Sequence, residues 1–150
     1  MIDIVAIRVE VREGFPDTEI IINCPRNDDS IARIVAVIHA LDQKLLGRRD
    51  GRVEVIDWHE VLYLESVDKH AFIYTPASVY ETELRLYEFE DQFANVGFFR
   101  TSKSQIVSLA RVASLRPEFG GRMELTMDNG ERLIVSRKYV KPLKERLGLR

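Results

Sequence analysis

Residues 122–136, RMELTMDNGERLIVS, constrain the fold more than any other stretch of the chain. Two β-prone runs flank Asp128-Asn129-Gly130, and Asn and Gly accept the positive φ of a tight hairpin turn. Behind the hairpin, Ser136 is a candidate N-cap, and Val140, Leu143 and Leu147 recur at helical spacing. Pro142 has no N–H to donate four residues back, so this spacing predicts an unkinked helix starting near Tyr139.

The middle of the chain carries similar punctuation. RVEVID (52–57), VLYLES (61–66), HAFIYT (70–75) and VYETE (79–83) read as short strands. VDKH and PAS are turns, and Asp57 is placed to cap a single helical turn between the first two strands. Leu86, Phe89 and Phe93 put a helix over 84–94. FFRT, a SKSQ break and IVSLARVASLRPEF continue the β pattern up to the hairpin.

The first third reads as a β-β-α unit. IVAIRVEVR (4–12) alternates over its second half, which fits a strand, and IIINC (20–24) is a second, β-branched run ending at Pro25, with Cys24 expected to be buried. NDDS supplies N-cap candidates, and Ile31, Ile34, Val35, Ile38, Leu41 and Leu45 mark one face of a helix from about 28 to 46. Gly47 is a natural stop and RRDGR (48–52) a polar hinge. The expected division is therefore a unit at 1–47 and a domain at 48–150.

At 150 residues, 45% hydrophobic and 31% charged, the chain has the composition of a globular protein that needs neither metal nor disulfide to fold. The N-terminus lacks the apolar core of a signal peptide, and no apolar run approaches a membrane span, so the expected location is cytoplasmic. The formal net charge of −2 hides an asymmetry. Residues 97–150 hold 12 basic against 5 acidic side chains, whereas residues 48–96 hold 5 against 11. A cationic segment on an anionic body points to a polyanionic partner on one face, or to a solvated surface.

Catalytic patterns are missing: no HExxH, no GxSxG, no P-loop and no dinucleotide fingerprint. His39, His59, His70 and Cys24 are too scattered to suggest a metal site, and Glu88 and Glu90 read as a solvated helix face. The expectation is a non-enzyme without cofactor or small-molecule substrate.

The basic third has the groups that nucleic-acid reading requires: Arg or Lys toward guanine, amides and hydroxyls toward other edges and phosphates. FFRTSKSQ supplies Arg100, Ser102, Lys103, Ser104 and Gln105. VSRKY supplies Ser136, Arg137 and Lys138 at a strand-to-helix junction, and Lys69 and His70 sit at a hairpin tip. Structural readings stand beside these. Arg100 could pair with Glu65 or Glu83, His70 could be an exposed strand residue, and Ser136 could be only a helix cap. Lys141, Lys144 and Arg146 could simply complement a helix C-terminus. Arg137 and Lys103 are least explained by structure alone. No two short helices with a glycine turn suggest a helix-turn-helix.

Taken together, FFRTSKSQIVS, the following L-x-P element (Leu115–Pro117) and MDNGERLIVSRKY resemble the LytTR family of DNA-binding domains, in order and spacing. The resemblance extends upstream through RVEVIDWHEVLYLES and VYETELRLYEFEDQF and covers about 52–148. It implies an α+β, mostly β fold: an elongated domain of small sheets with short helices, here preceded by the β-β-α unit. It also implies a transcriptional regulator whose loops enter successive major grooves of direct-repeat DNA and bend it. The family contact positions fall on Lys69 or His70, on Lys103 and on Arg137, with Arg100 and Ser104 at positions that hold the loop or touch backbone.

The chain is too short for the receiver domain that many members carry, and it resembles stand-alone members instead. Some of those are encoded beside a small integral membrane protein that restrains them. The implied partners are thus double-stranded DNA, a second copy of the chain at least on DNA, and such a membrane protein, with residues 1–47 as a dimerisation or regulatory unit. Two rivals stay open at this stage: an adaptor whose basic third docks on an acidic protein, and a ligand sensor built on the N-terminal unit.

Overall fold

The structure, a computed structural model, describes residues 5–41, 44–93 and 96–149. Ten strands and three α-helices follow in the order α1 (Asp29–Leu41), β1 (Leu45–Arg49), β2 (Arg52–Ile56), β3 (Tyr63–Val67), β4 (His70–Tyr74), β5 (Val79–Thr82), α2 (Leu86–Phe93), β6 (Phe98–Ser102), β7 (Gln105–Ser108), β8 (Val112–Pro117), β9 (Met123–Met127), β10 (Arg132–Val135) and α3 (Arg137–Leu147). They build a seven-stranded sheet, ordered β2-β1-β5-β4-β3-β7-β6, and a three-stranded sheet, ordered β10-β9-β8. Every pairing is antiparallel.

Two cores result, and β3 explains how one chain makes both. Val61 and Leu64 face α2, with Leu45, Ile73, Phe98 and Ile106 of the large sheet. Leu62 and Tyr63 face the small sheet, with Val107, Leu125, Met127, Val135 and Leu143 of α3. Four consecutive apolar residues, VLYL, are the mark of a segment buried on both sides. On the α2 side, Phe89 and Phe93 are fully buried and stack at 4.6 Å, with Phe98 edge-on to Phe89 at 4.9 Å. Burying each such ring stabilises the fold by roughly 2–3 kcal/mol.

Polar contacts clamp the two sheets together. Tyr63 Oη donates to Glu131 Oε2 at 2.8 Å. Burial first, and the Glu131 carboxylate second, push the Tyr63 hydroxyl well above the ordinary tyrosine range. Arg111 lies 3.0 Å from Asp128 and 3.5 Å from Glu60, and it donates to the His59 carbonyl. Asp57 caps the short 3₁₀ turn at Trp58–Glu60 by accepting from the His59 amide at 3.0 Å, which holds its carboxyl below the usual range.

The expected strands, hairpin and α2 all form in the C-terminal two thirds. The departures are instructive. The first helix ends at Leu41 and not near 46, and Leu45–Arg49 is a strand. Leu45 is buried in the α2 core, and the Asp50-Gly51 pair, both at positive φ, turns the chain into β2. The position expected to divide the chain, between 47 and 48, thus lies inside β1. Gly47 does not stop a helix. A Cβ there would stand 2.5 Å from Ile56 Cδ1 and 2.6 Å from Tyr80 Cβ, so the glycine permits close packing.

The strands expected at 4–12 and 20–24 are not formed over the described residues 5–28, and Cys24 is exposed. Isolated two-stranded ribbons are marginal in water, and neither run reaches a third strand of its own chain. The last helix starts at Arg137 and contains Pro142. The bond that the proline removes would end on the Lys138 carbonyl in the exposed first turn, where water can replace it.

Candidate nucleic-acid interface

Three connections carry the candidate residues: the β3–β4 turn, the β6–β7 turn and the β10–α3 junction. Backbone hydrogen bonds tie them to one end of the large sheet. The Ser66 amide donates to the Ser104 carbonyl at 2.8 Å, joining the first turn to the second. The Ser136 amide and hydroxyl both donate to the Thr101 carbonyl, at 2.9 and 3.2 Å, joining the third to the second.

Thr101 can serve in this way because it sits at a bulge. The β6–β7 register shifts between Arg100 and Ser102, which frees the Thr101 carbonyl from the ladder. Thr101 is fully buried, and its hydroxyl donates to Gln105 Oε1 at 2.9 Å. The sequence reading passed over this residue. Its signal is weak: a threonine between Arg100 and Ser102 in FFRTS, a strand without apolar-polar alternation.

The candidates sort into holders and displayed groups. Arg100 is half-buried; its Nε donates to the Ser102 carbonyl at 2.8 Å and an Nη to the Lys103 carbonyl, with Glu90 at 3.9 Å. It braces its own turn and pairs with Glu90, where Glu65 or Glu83 was the expected structural partner. Gln105 is held by Thr101, and Ser102 Oγ accepts from the Ser104 amide at 3.2 Å. Ser136 occupies the N-cap position of α3, but its hydroxyl is spent on Thr101. His70 Nδ1 lies 2.8 Å from Glu81 Oε1.

Lys69, Lys103, Ser104, Arg137 and Lys138 are exposed. Among the described residues, Lys69, Lys103, Arg137 and Lys138 have no carboxylate at ion-pair distance; Lys138 Nζ sits 5.7 Å from the Tyr139 ring centroid. By contrast, Arg111, Arg116 and Arg132 of the same basic third are paired with Asp128, Glu60 or Glu124.

The first two turns share one concavity of about 470 Å³, lined by Arg48, Lys69, His70, Arg85, Arg100 and Lys103, with Glu81 and Glu83 on its wall. Lys69 is set by its backbone: Asp68 and Lys69 lie at φ 50° and 69°, and β3–β4 pairing closes directly behind them at Val67 and His70. Arg137 is set by Gly121. A Cβ on that glycine, itself at φ 78°, would stand 3.1 Å from Arg137 Cδ, so the arginine stem lies across the glycine. Gly121 was not anticipated from sequence.

This arrangement is a surface rich in hydrogen-bond donors. Among the described residues no cluster of three or more His, Cys, Asp or Glu could hold a metal ion. No described helix is long and apolar enough to cross a membrane. No two described α-helices follow one another without an intervening strand, so the surface is not a helix-turn-helix.

The family model of the LytTr DNA-binding domain matches residues 51–148. The chain belongs to the LytTR family. A solved LytTr DNA-binding domain, from a Bacillus cereus protein described as a methyl-accepting/DNA response regulator, superposes with a TM-score of 0.69 at 26% identity. It covers 72% of this chain, and 99% of that domain is matched. Uncharacterized HTH-type transcriptional regulators of Staphylococcus aureus strains NCTC 8325 and N315 are each 29% identical over 130 residues, covering 85% of this chain and 88% of theirs. The LytTR match takes in all three loops and leaves α1 and β1 outside it.

Proposed function

We propose that this LytTR protein is a sequence-specific transcriptional regulator that reads direct-repeat promoter DNA through its three loops, set in successive major grooves of a bent duplex. The observation that carries this reading is the set of free cations, Lys69, Lys103 and Arg137, displayed on turns that backbone hydrogen bonds lock to one another. A protein that must match donors to base edges needs such groups on a rigid frame, because loose loops would lose side-chain and backbone entropy on binding. Arg137 offers a bidentate donor suited to guanine. Lys103 suits guanine or phosphate, and Ser102, Ser104 and Lys138 suit the backbone. The relatives named as transcriptional regulators support the regulatory part of the reading. The protein acts as a homodimer at least on DNA, with the N-terminal segment as its dimerisation or regulatory unit, and needs no cofactor.

Arg137→Ala is the direct test. Affinity for specific DNA is expected to fall by about 1–3 kcal/mol while affinity for random duplex changes little. Equal loss on both would reduce Arg137 to a phosphate contact and remove the base-reading role from the β10–α3 junction.

A further inference from the structure

The N-terminal segment presents an unpartnered row. Val5, Ile7, Val9 and Val11 are 68%, 89%, 82% and 87% exposed, at every second position. Arg8, Glu10 and Arg12 alternate with them, and a turn closes from Arg12 to Phe15. This is the side-chain period of a strand with one face buried, yet neither sheet of the chain includes it. A contiguous apolar row of this kind marks a partner surface.

We propose that residues 6–12 pair antiparallel with the same residues of a second copy, about a two-fold axis through Val9; this rests on, and specifies, the dimer of the proposed function. The sequence is self-complementary in that register. Val9 faces Val9, Ile7 faces Val11, and Arg8 faces Glu10 on both sides of the axis. Opposite charges directly across an antiparallel pair are favourable and like charges are not. Centring one residue earlier sets Arg8 against Arg8. Centring one residue later sets Glu10 against Glu10 and Arg8 against Arg12. Centring on Val11 drives the pairing into the Arg12–Phe15 turn. Setting odd against even positions would move a whole apolar row to the wrong face, so the axis passes through a residue, and the charge pairs favour Val9.

In the single chain Glu10 instead contacts Arg8 at 3.8 Å and Arg12 at 3.3 Å within its own segment, all in solvent. An isologous two-fold contact of this kind closes on itself and gives a dimer, not a filament.

Cysteine cross-linking of the full chain in a Cys24→Ser background tests the register. Residues directly opposite in an antiparallel pair have Cα atoms about 4.5–5.5 Å apart, within disulfide reach. Val9→Cys is therefore expected to give a covalent dimer under mild oxidation. Ile7→Cys alone is not, because its twin lies four residues along the ribbon, about 13 Å away, while a mixture of Ile7→Cys and Val11→Cys chains is. Glu10→Arg is expected to weaken the unmodified dimer about tenfold, and adding Arg8→Glu to restore it. A monomer by light scattering at high concentration, or cross-linking by Ile7→Cys as efficient as by Val9→Cys, would overturn the proposal. None of these readouts contains DNA, so failure of the DNA reading leaves them standing, and Arg137→Ala should leave the dimer intact.

Discussion

Lys69 holds a left-handed backbone conformation, φ 69°, that costs a lysine of order 1 kcal/mol and a glycine nothing comparable. A two-residue turn with Asp-Lys at its centre is thus built against local preference. The side chain gains its exposed place above the concavity shared with Lys103. Lys69→Gly separates the two effects. The melting temperature is expected to rise by a few degrees while DNA affinity falls; chemical or thermal unfolding read beside a binding titration would show it. Unchanged affinity would remove Lys69 from the interface. Arg100 illustrates the opposite role. Its guanidinium is committed to the turn carbonyls and Glu90, so it positions Lys103 and leaves little to offer a base.

At the scale of elements, β1 depends on a single glycine. Gly47 lets β1 pass Ile56 and Tyr80 at a distance no Cβ permits, so Gly47→Ala is expected to destabilise the fold by about 1–3 kcal/mol, measured by denaturant unfolding. A mid-strand glycine with slack around it would give no change. This is also where sequence and structure part most clearly. Leu41 and Leu45 continue the helical spacing of α1, but burial of Leu45 against α2 overrides that spacing. The Asp50-Gly51 turn signal was present in RRDGR and was masked by its three flanking arginines and polar look. Farther along, turn chemistry and alternation agreed with each other, and β2 through β6, β9, β10 and α2 were legible within a few residues, whereas the short 3₁₀ turn that divides β7 from β8 was not. The loops were legible as loops and as cationic. Their mutual attachment was not, because the Thr101 bulge and the Gly121 platform act across more than 15 residues of chain. The runs at 4–12 and 20–24 have strand-like side chains but no strand partner among the described residues.

The whole molecule sorts its charge and locks its two sheets. Carboxylates neutralise the arginines of the small sheet and leave the cations of the three loops free, so a net charge of −2 coexists with a cationic end. The clamp between sheets has a pH signature. The Tyr63 hydroxyl titrates higher in the fold than its ordinary value of 10.0, because burial and Glu131 disfavour the phenolate. Its contribution is therefore complete below about pH 10 and is lost as pH rises above that. Tyr63→Phe is expected to cost about 1–2 kcal/mol at neutral pH and to flatten the alkaline limb of a stability-versus-pH profile. An unchanged alkaline limb would mean that burial and Glu131 do not together raise the Tyr63 hydroxyl in solution.

The central claim is that this cationic end reads sequence. Fluorescence anisotropy with duplex from the region upstream of the protein's own gene, against a scrambled duplex at two salt concentrations, tests it most directly. The account predicts a preference of about a hundredfold or more that survives the higher salt. It also predicts a slope of log affinity on log salt near about −4 to −5, for roughly four to six neutralised phosphates. Equal affinity for both duplexes, erased by salt, would contradict it and leave the three loops as an electrostatic surface for an acidic protein.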